Sequence, residues 1–395
     1  MNARVKPASS AIATADAVGA GLTVRGVSKS FHSPVLMDMG IDVAPGELVA
    51  LTGPSGAGKT TFCRILAGLE RADAGTLLLR GEDLAAKPAG LRNVAFLFES
   101  YALYPHLTVR QNALSPLQAP NRSTGPMDLA SANRRVDEIL ELLEIAQLDG
   151  RLPGALSGGQ KQRAALARAL VQTPAIFLLD EPISHLDAKL RHKLRGEIRR
   201  RLTEQPAPVI WSTPDGTEAL SVGDRIVVID GGRVEQVGAP EDIWLRPASI
   251  RVARLFGDPP MNLMPGVLKL ESGTLCFQRR GMSLPLPPPL AAAAALTGNE
   301  NLTLGVRPDR LRLTTIETTA ATSGEIYSNE PFGKYAIVTV DLGSLLVKVK
   351  ATMAAAGNAG SVGNPVGILF PEDEMTLFDG ITGATLAHSS LPSEL

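Results

Sequence analysis

Residues Gly53 to Thr60 read GPSGAGKT, which has the spacing G-x-x-x-x-G-K-S/T. Glycines at these places let main-chain N–H groups turn inward around phosphate oxygens. Lys59 adds a point charge toward the β- and γ-phosphates, and the Thr60 hydroxyl is placed to bind Mg²⁺. A helix opening here would add its N-terminal dipole. The candidate nucleotide contacts are Gly53, Pro54, Ser55, Gly56, Ala57, Gly58, Lys59, Thr60 and Thr61. The bland alternative is a glycine-rich turn with a solvated lysine. Two further motifs weigh against it. Leu156 to Gln160 reads LSGGQ, so Ser157, Gly158, Gly159 and Gln160 form a second anion-binding helix start. Ile176 to Glu181 reads IFLLDE, and there Asp180 ends an apolar run where a carboxylate can hold Mg²⁺ through water. Alone, that pair could be a plain acidic strand end.

The elements that must position these residues are legible in outline. Glu47 to Thr52 is a buried-strand run leading into the glycines, and residues 59–69 carry apolar positions at helical spacing. Leu22 to Val27, Gly40 to Val43, Arg92 to Phe98, Ala175 to Leu179, Val209 to Ser212 and Arg225 to Ile229 read as further strands. Asn133 to Ile145 has the pattern of an amphipathic helix. Strands alternating with helices predict an α/β fold with a largely parallel sheet. After about residue 250, proline and glycine punctuate short β-like runs, which predicts a separate all-β domain. Leu284 to Ala295 (LPLPPPLAAAAA) reads as a loop or linker. The expected division is a disordered extension over 1–20, a nucleotide-binding domain over 21–245 with a helical region at about 100–170, and a β domain over 246–395.

Composition narrows the classes. The chain has 395 residues, enough for two or three domains, and a formal net charge of −1. A general nucleic-acid binder would show a basic excess. Cys63 and Cys276 lack metal-type spacing and read as buried small hydrophobes in a reducing compartment. No stretch reaches the roughly 20 consecutive apolar residues that span a bilayer. The Ala-, Ser- and Thr-rich first 20 residues lack the apolar core of a signal peptide. These features predict a cytoplasmic protein, or one held at a membrane through partners.

With the three motifs in this order, the chain resembles an ABC ATPase, a P-loop NTPase with a helical subdomain. The resemblance implies ATP and Mg²⁺ as cofactors, Glu181 as the general base for the attacking water, and Lys59 as its catalytic companion. It implies that LSGGQ serves the γ-phosphate of ATP held by a second ATPase subunit, and that Ser184 to Asp187 touches that subunit. Phe31 stands where the family stacks an aromatic ring on adenine; the alternative is a core phenylalanine. Tyr101 to His106 (YALYPH) resembles the segment that meets the coupling helix of a membrane subunit. Two positions depart from the pattern. Glu99 replaces the glutamine that binds Mg²⁺, although its carboxylate can still offer oxygen. Pro214 replaces the histidine that contacts the γ-phosphate, and proline has neither a side-chain donor nor an N–H. The expectation is an impaired nucleotide site in one half of an ATPase heterodimer, against a homodimer that tolerates both changes.

Pro259 to Gly266 (PPMNLMPG), Gly305 to Asp309 (GVRPD), and Phe370 to Asp373 followed by Leu377 to Asp379 resemble the C-terminal OB-type (TOBE) domain of sugar-importer ATPases. Pro182 to Arg195 favours, weakly, glycerol or sugar systems with two different ATPase chains. The implied partners are two membrane-spanning permease subunits, a second ATP-binding subunit and, indirectly, an extracytoplasmic solute-binding protein. The implied place is the cytoplasmic face of the bacterial inner membrane. Polyamine or inorganic-ion import, a non-transport ABC ATPase, and a non-hydrolysing regulatory ABC protein stay open. Nucleic-acid binding through the OB domain would need stacked aromatics, and these are only 4% of the chain.

Overall fold

The computed structural model describes residues 21–119, 125–280, 282–316, 322–343 and 345–389. The extension expected over 1–20 and most of the polar loop after Ala119 lie outside the described residues. Two compact units emerge. One holds the residues up to Pro214 with Glu218–Val237, and the other holds Asp215–Thr217 with the residues from Gly238 onward.

In the first unit the strands are β1 (Leu22–Ser30), β2 (Pro34–Val43), β3 (Leu48–Thr52), β4 (Ala74–Leu79), β5 (Glu82–Asp83), β6 (Val94–Leu97), β7 (Ile176–Asp180), β8 (Val209–Thr213), β9 (Arg225–Asp230) and β10 (Arg233–Gly238). A four-stranded sheet runs β2-β1-β4-β5, with β1 antiparallel to β2 and β4. A six-stranded sheet runs β10-β9-β3-β8-β7-β6, and its pairs β9/β3, β3/β8, β8/β7 and β7/β6 are parallel. Every residue of β3, β7 and β8 is buried. That burial is why these segments read as unbroken apolar runs rather than alternating ones.

The helices are α1 (Lys59–Ala67), α2 (Val109–Leu114), α3 (Leu129–Leu142), α4 (Gly158–Leu170), α5 (Ala188–Thr203) and α6 (Gly216–Val222). Their starts follow capping rules. Thr108 and Gln111 form a capping box on α2, Asp128 caps α3, and Ser157 with Gln160 forms a second box on α4. Gln111, the first glutamine in the chain, is therefore occupied as a cap. Arg110 on α2 reaches Asp137 at 2.6 Å on α3 and Asp149 at 3.1 Å, tying the helical region together.

The second unit is antiparallel β. Its strands are β11 (Asn262–Glu271), β12 (Thr274–Arg279), β13 (Met282–Pro285), β14 (Asn301–Val306), β15 (Arg312–Thr314), β16 (Thr322–Pro331), β17 (Tyr335–Asp341), β18 (Leu346–Thr352), β19 (Pro365–Leu369), β20 (Met375–Asp379) and β21 (Thr385–His388). They form sheets ordered β13-β12-β11-β14-β20-β21 and β15-β19-β16-β17-β18 around one apolar core. Asn262 stitches the two sheets, accepting from Lys348 N and donating to Lys348 O, both at 2.8 Å. Arg307 is buried and lies 3.7 Å from the Trp244 ring centroid. It donates to Phe256 O at 2.6 Å and Trp244 O at 2.7 Å. Burial pushes its guanidinium down to about 10. These contacts account for the PPMNL and GVRPD segments as structural ties.

One expectation is overturned. The segment read as a loop or linker, Leu284 to Ala295, finishes β13 and then forms helix Pro288–Thr297. Proline is tolerated at the first helical turn, where its missing N–H has no intrahelical partner. The alanines that follow have the highest helix propensity of any residue. Gly298, at φ 61°, terminates the helix. Leu290 and Ala294, one turn apart, are buried in the core, whereas Leu296 is 88% exposed. Leu290→Ala should therefore destabilise the protein by about 2–5 kcal/mol, while Leu296→Ala stays within about 0.5 kcal/mol of wild type. Chemical denaturation of the two variants checks this; equal effects would mean that the helix does not pack.

Candidate functional site

The strand register decides where the chemistry lies. Thr52 pairs with Thr213, Asp180 with Ser212, and Leu97 with Leu179. The carboxyl ends of β3, β8, β7 and β6 therefore sit side by side, where open parallel sheets bind ligands. The loop Gly53–Gly58 leaves β3 there and feeds α1. Gly53 has φ 151°, and a Cβ on it would lie 2.0 Å from Ile229 O. Gly58 has φ 103°, and its Cβ would meet Leu36 Cδ2 at 2.6 Å. Only glycine satisfies both restrictions. The Lys59 ammonium is buried and donates to Gly53 O at 2.8 Å and Pro54 O at 3.0 Å, which pins the loop closed. Burial lowers its pKa, while Glu181, Asp180 and Glu99 oppose that shift.

A cavity of about 340 Å³ opens beside the loop, lined among others by Thr60, Arg64, Glu99, Tyr101, Asp180 and His185. Asp180 is buried. One carboxylate oxygen accepts from Ser212 Oγ, and Oδ2 is buried without a hydrogen-bond partner. A buried carboxylate oxygen without a donor fits a cation. Among the described residues no cluster of three or more His, Cys, Asp or Glu side chains could hold a metal alone. Mg²⁺ takes few protein ligands alongside phosphates and water. Thr60, Asp180 and Glu99 are the residues of this cavity that could hold it.

Glu181 follows β7 with φ 50°, an uncommon value for a non-glycine residue. Its backbone is held on both sides. Its N–H donates to Ser212 O at 3.0 Å, and its carbonyl accepts from Gln162 Nε2 at 2.8 Å and Ser184 Oγ at 3.1 Å. Gln162 Oε1 also accepts from the His185 N–H at 3.0 Å. Burial first, then the carboxylates of Glu99 and Asp180, hold the Glu181 carboxyl above its usual range; Lys59 and His185 act the other way.

The signature residues form the N-terminus of α4, where Ser157 Oγ accepts from Gln160 N and Gln160 Oε1 accepts from Ser157 N. Gly159 is close-packed, since a Cβ there would sit 3.1 Å from His185 O. Phe31 is 55% exposed with Lys29 Nζ 5.1 Å from its ring centroid, so it is not a core side chain. In the YALYPH segment Tyr104 is exposed beside a cavity of about 570 Å³ that Ala102, Tyr104 and Arg168 help to line. Arg168 anchors the segment by donating to Ala102 O at 2.7 Å and Tyr101 O at 3.0 Å. Pro214 is exposed at the end of β8. Sequence reasoning gave Gln162 and Tyr101 no role in the site, and assigned His185 only to a contact with another subunit. Each acts through contacts distant in sequence, which no short pattern displays.

The raised Glu181 carboxyl has a stability consequence. A carboxyl raised in the folded state contributes stability that is present below its unfolded value and lost as pH rises through the folded one. At pH 7 the charged Glu181 is a liability, so Glu181→Gln should raise the melting temperature there. The difference should shrink below about pH 4, where wild type is also neutral. Melting curves across this range test it; a lower melting temperature for the variant at pH 7 would show that the charge stabilises the fold.

Comparison with known proteins agrees with this geometry. Residues 36–184 match the family model described as ABC transporter, and residues 257–311 match that of the MalK OB fold domain. The chain is 37% identical over 370 residues to the sn-glycerol-3-phosphate import ATP-binding protein UgpC 1 of Rhizobium johnstonii, covering 93% of this chain and 97% of that one. It is 39% identical over 359 residues to the xylose/arabinose import ATP-binding protein XacK of Haloferax volcanii, covering 90% and 91%. Among solved structures, the dimeric bacterial ABC transporter cassette MJ0796 superposes with a TM-score of 0.52 at 28% identity, covering 55% of this chain and 98% of that one. Among the described residues no helix is long and apolar enough to cross a membrane. The loop on β3, the capped helix behind Ser157 and the acidic pair on β7 thus belong to an ATPase: the chain is a member of the ABC transporter ATP-binding protein family, with a MalK-type OB domain following its nucleotide-binding unit.

Proposed function

We propose that this chain is the ATP-hydrolysing subunit of an importer for a small polar solute such as a sugar, glycerol or glycerol phosphate. The observation that carries the reading is the convergence of the Gly53–Thr60 loop, Asp180 and Glu181 at adjacent strand ends. Relatives covering nearly all of the chain bear glycerol-phosphate and sugar import names. The chain would work at the cytoplasmic face of a bacterial inner membrane with two permease subunits, fed by an extracytoplasmic solute-binding protein.

In this reading Phe31 offers its exposed face to adenine, the main-chain N–H groups of residues 53–61 cradle the phosphates, and the third N–H of Lys59 reaches the γ-phosphate. Thr60, Asp180 and Glu99 would hold Mg²⁺, which when bound supplies neutralising charge to the β- and γ-phosphates. Glu181 takes a proton from water as the water oxygen attacks the γ-phosphorus and ADP leaves. Ser157, Gly158, Gly159 and Gln160 serve the γ-phosphate bound by a second ATPase subunit.

The chain's own site is weakened in this reading. Glu99 places a third carboxylate beside Asp180 and Glu181, repelling polyphosphate and holding Glu181 toward its neutral form. Pro214 contributes no imidazole at the end of β8. We infer that the partner ATPase is a different chain whose complete site is finished by this chain's Ser157 and Gly159. Restoring Pro214→His and Glu99→Gln together should raise ATP turnover of the isolated chain by roughly 10- to 1,000-fold, the scale of one transition-state donor. Wild-type turnover already equal to the double variant would sink the weakened-site reading. Recovery of this ATPase chain alone with the permeases from native membranes would sink the heterodimer.

A further inference from the structure

The His185 imidazole lines the cavity that also holds Thr60, Glu99 and Asp180, and no other histidine of the chain does. Its position is set from three sides. Its main-chain N–H donates to Gln162 Oε1 at 3.0 Å, and its Nδ1 lies 3.0 Å from Ser184 Oγ. The ring meets Tyr101 edge-on, with centroids 5.7 Å apart and an interplanar angle of 81°. These contacts also assign the ring hydrogen. Ser184 Oγ is 3.1 Å from Glu181 O, and a carbonyl can only accept. If the hydroxyl proton pointed elsewhere, two oxygen lone pairs would face each other at that distance. The hydroxyl therefore donates to Glu181 O and has only lone pairs to offer His185, so Nδ1 carries the hydrogen. In the neutral ring Nε2 is then an acceptor on a side chain that borders the cavity.

We propose that His185 Nε2 accepts a hydrogen bond from the water that attacks the γ-phosphorus of ATP, orienting that water together with Glu181. This rests on the reading of the cavity as an ATP-hydrolysing site. One O–H of the water is held by His185, and the other points to the Glu181 carboxylate. The water oxygen forms the new bond to phosphorus. The bond from phosphorus to the bridging oxygen breaks, and its electron pair leaves with ADP. The proton goes to Glu181 and then to solvent, and His185 keeps its own hydrogen throughout. Because Pro214 can make no such contact, the turnover that this site retains depends on His185.

The test uses the full chain and three proteins: wild type, His185→Phe and His185→Gln. Phenylalanine keeps a ring beside Tyr101 and removes the acceptor, whereas glutamine restores an acceptor oxygen. ATP binding is measured by equilibrium dialysis of labelled nucleotide, and turnover by phosphate release. The expected result is a kcat for His185→Phe lower by about 10- to 100-fold, with Kd for ATP within about twofold, and partial recovery in His185→Gln. An unchanged kcat in His185→Phe overturns the proposal. So does a loss of kcat matched by an equal loss of ATP affinity, or a glutamine variant no better than phenylalanine. A wild type that binds ATP yet releases phosphate only at the spontaneous rate overturns the role of His185 and leaves nucleotide binding standing. A wild type that does not bind ATP overturns both readings.

Discussion

Strands β3, β7 and β8 are buried along their whole length and run parallel, with ends that fall within one residue of each other. A strand covered on both faces must satisfy all its main-chain groups within the sheet, so its end is fixed by its neighbours' ends. That constraint pairs Thr52 with Thr213 and Asp180 with Ser212, so the chain leaves the sheet at Gly53, at Pro214 and, one residue earlier, at Glu181. The phosphate loop, the acidic pair and the position after β8 are far apart in sequence, and they meet because three apolar runs pair in parallel with β7 offset by a single residue. A one-residue slip of β7 would carry Asp180 away from Ser212, its only side-chain donor among the described residues.

Charge in the cavity is unevenly distributed. Asp180, Glu181 and Glu99 bring three carboxylates close enough to perturb the same lysine. Lys59, a single cation held by the carbonyls of Gly53 and Pro54, balances only part of that charge. Burial and the neighbouring carboxylates of Glu99 and Asp180 push the Glu181 carboxyl toward neutrality. The cavity is thus built to receive positive charge near Asp180, and a polyanion enters it at low cost only together with cations.

Much of this was legible in the residue order. The apolar runs of β3, β7 and β8, the Gly53–Thr60 spacing and the Ser157 helix start each follow from local rules that act within a few residues. The helix Pro288–Thr297 was not, because nine of its ten residues are proline, leucine or alanine and the 3.6-residue period has no polar face to contrast with. Its proline pair also reads as a break unless the helix start is known. The surroundings of Glu181 were hidden for a different reason. Gln162 lies 19 residues from Glu181 and 23 from His185, and only the packing of α4 against the end of β7 brings its amide between them.

That amide ties α4 to the end of β7. The first turn of α4 carries Ser157, Gly158, Gly159 and Gln160, closed by the capping box of Ser157 and Gln160. One turn further on, Gln162 uses both ends of its side chain on the Glu181 carbonyl and the His185 N–H. Glu181 adopts a left-handed backbone that costs of order 1–2 kcal/mol for a residue with a side chain, and it keeps that shape because its N–H and C=O are both bonded. Removing the Gln162 donor would leave Ser184 as the only side-chain donor to that carbonyl. A shift of α4 along its axis by a fraction of an ångström therefore lengthens the bonds that aim Glu181 and His185. The start of α4 and the end of β7 cannot be set independently, because the Gln162 side chain on α4 is bonded to both Glu181 and His185.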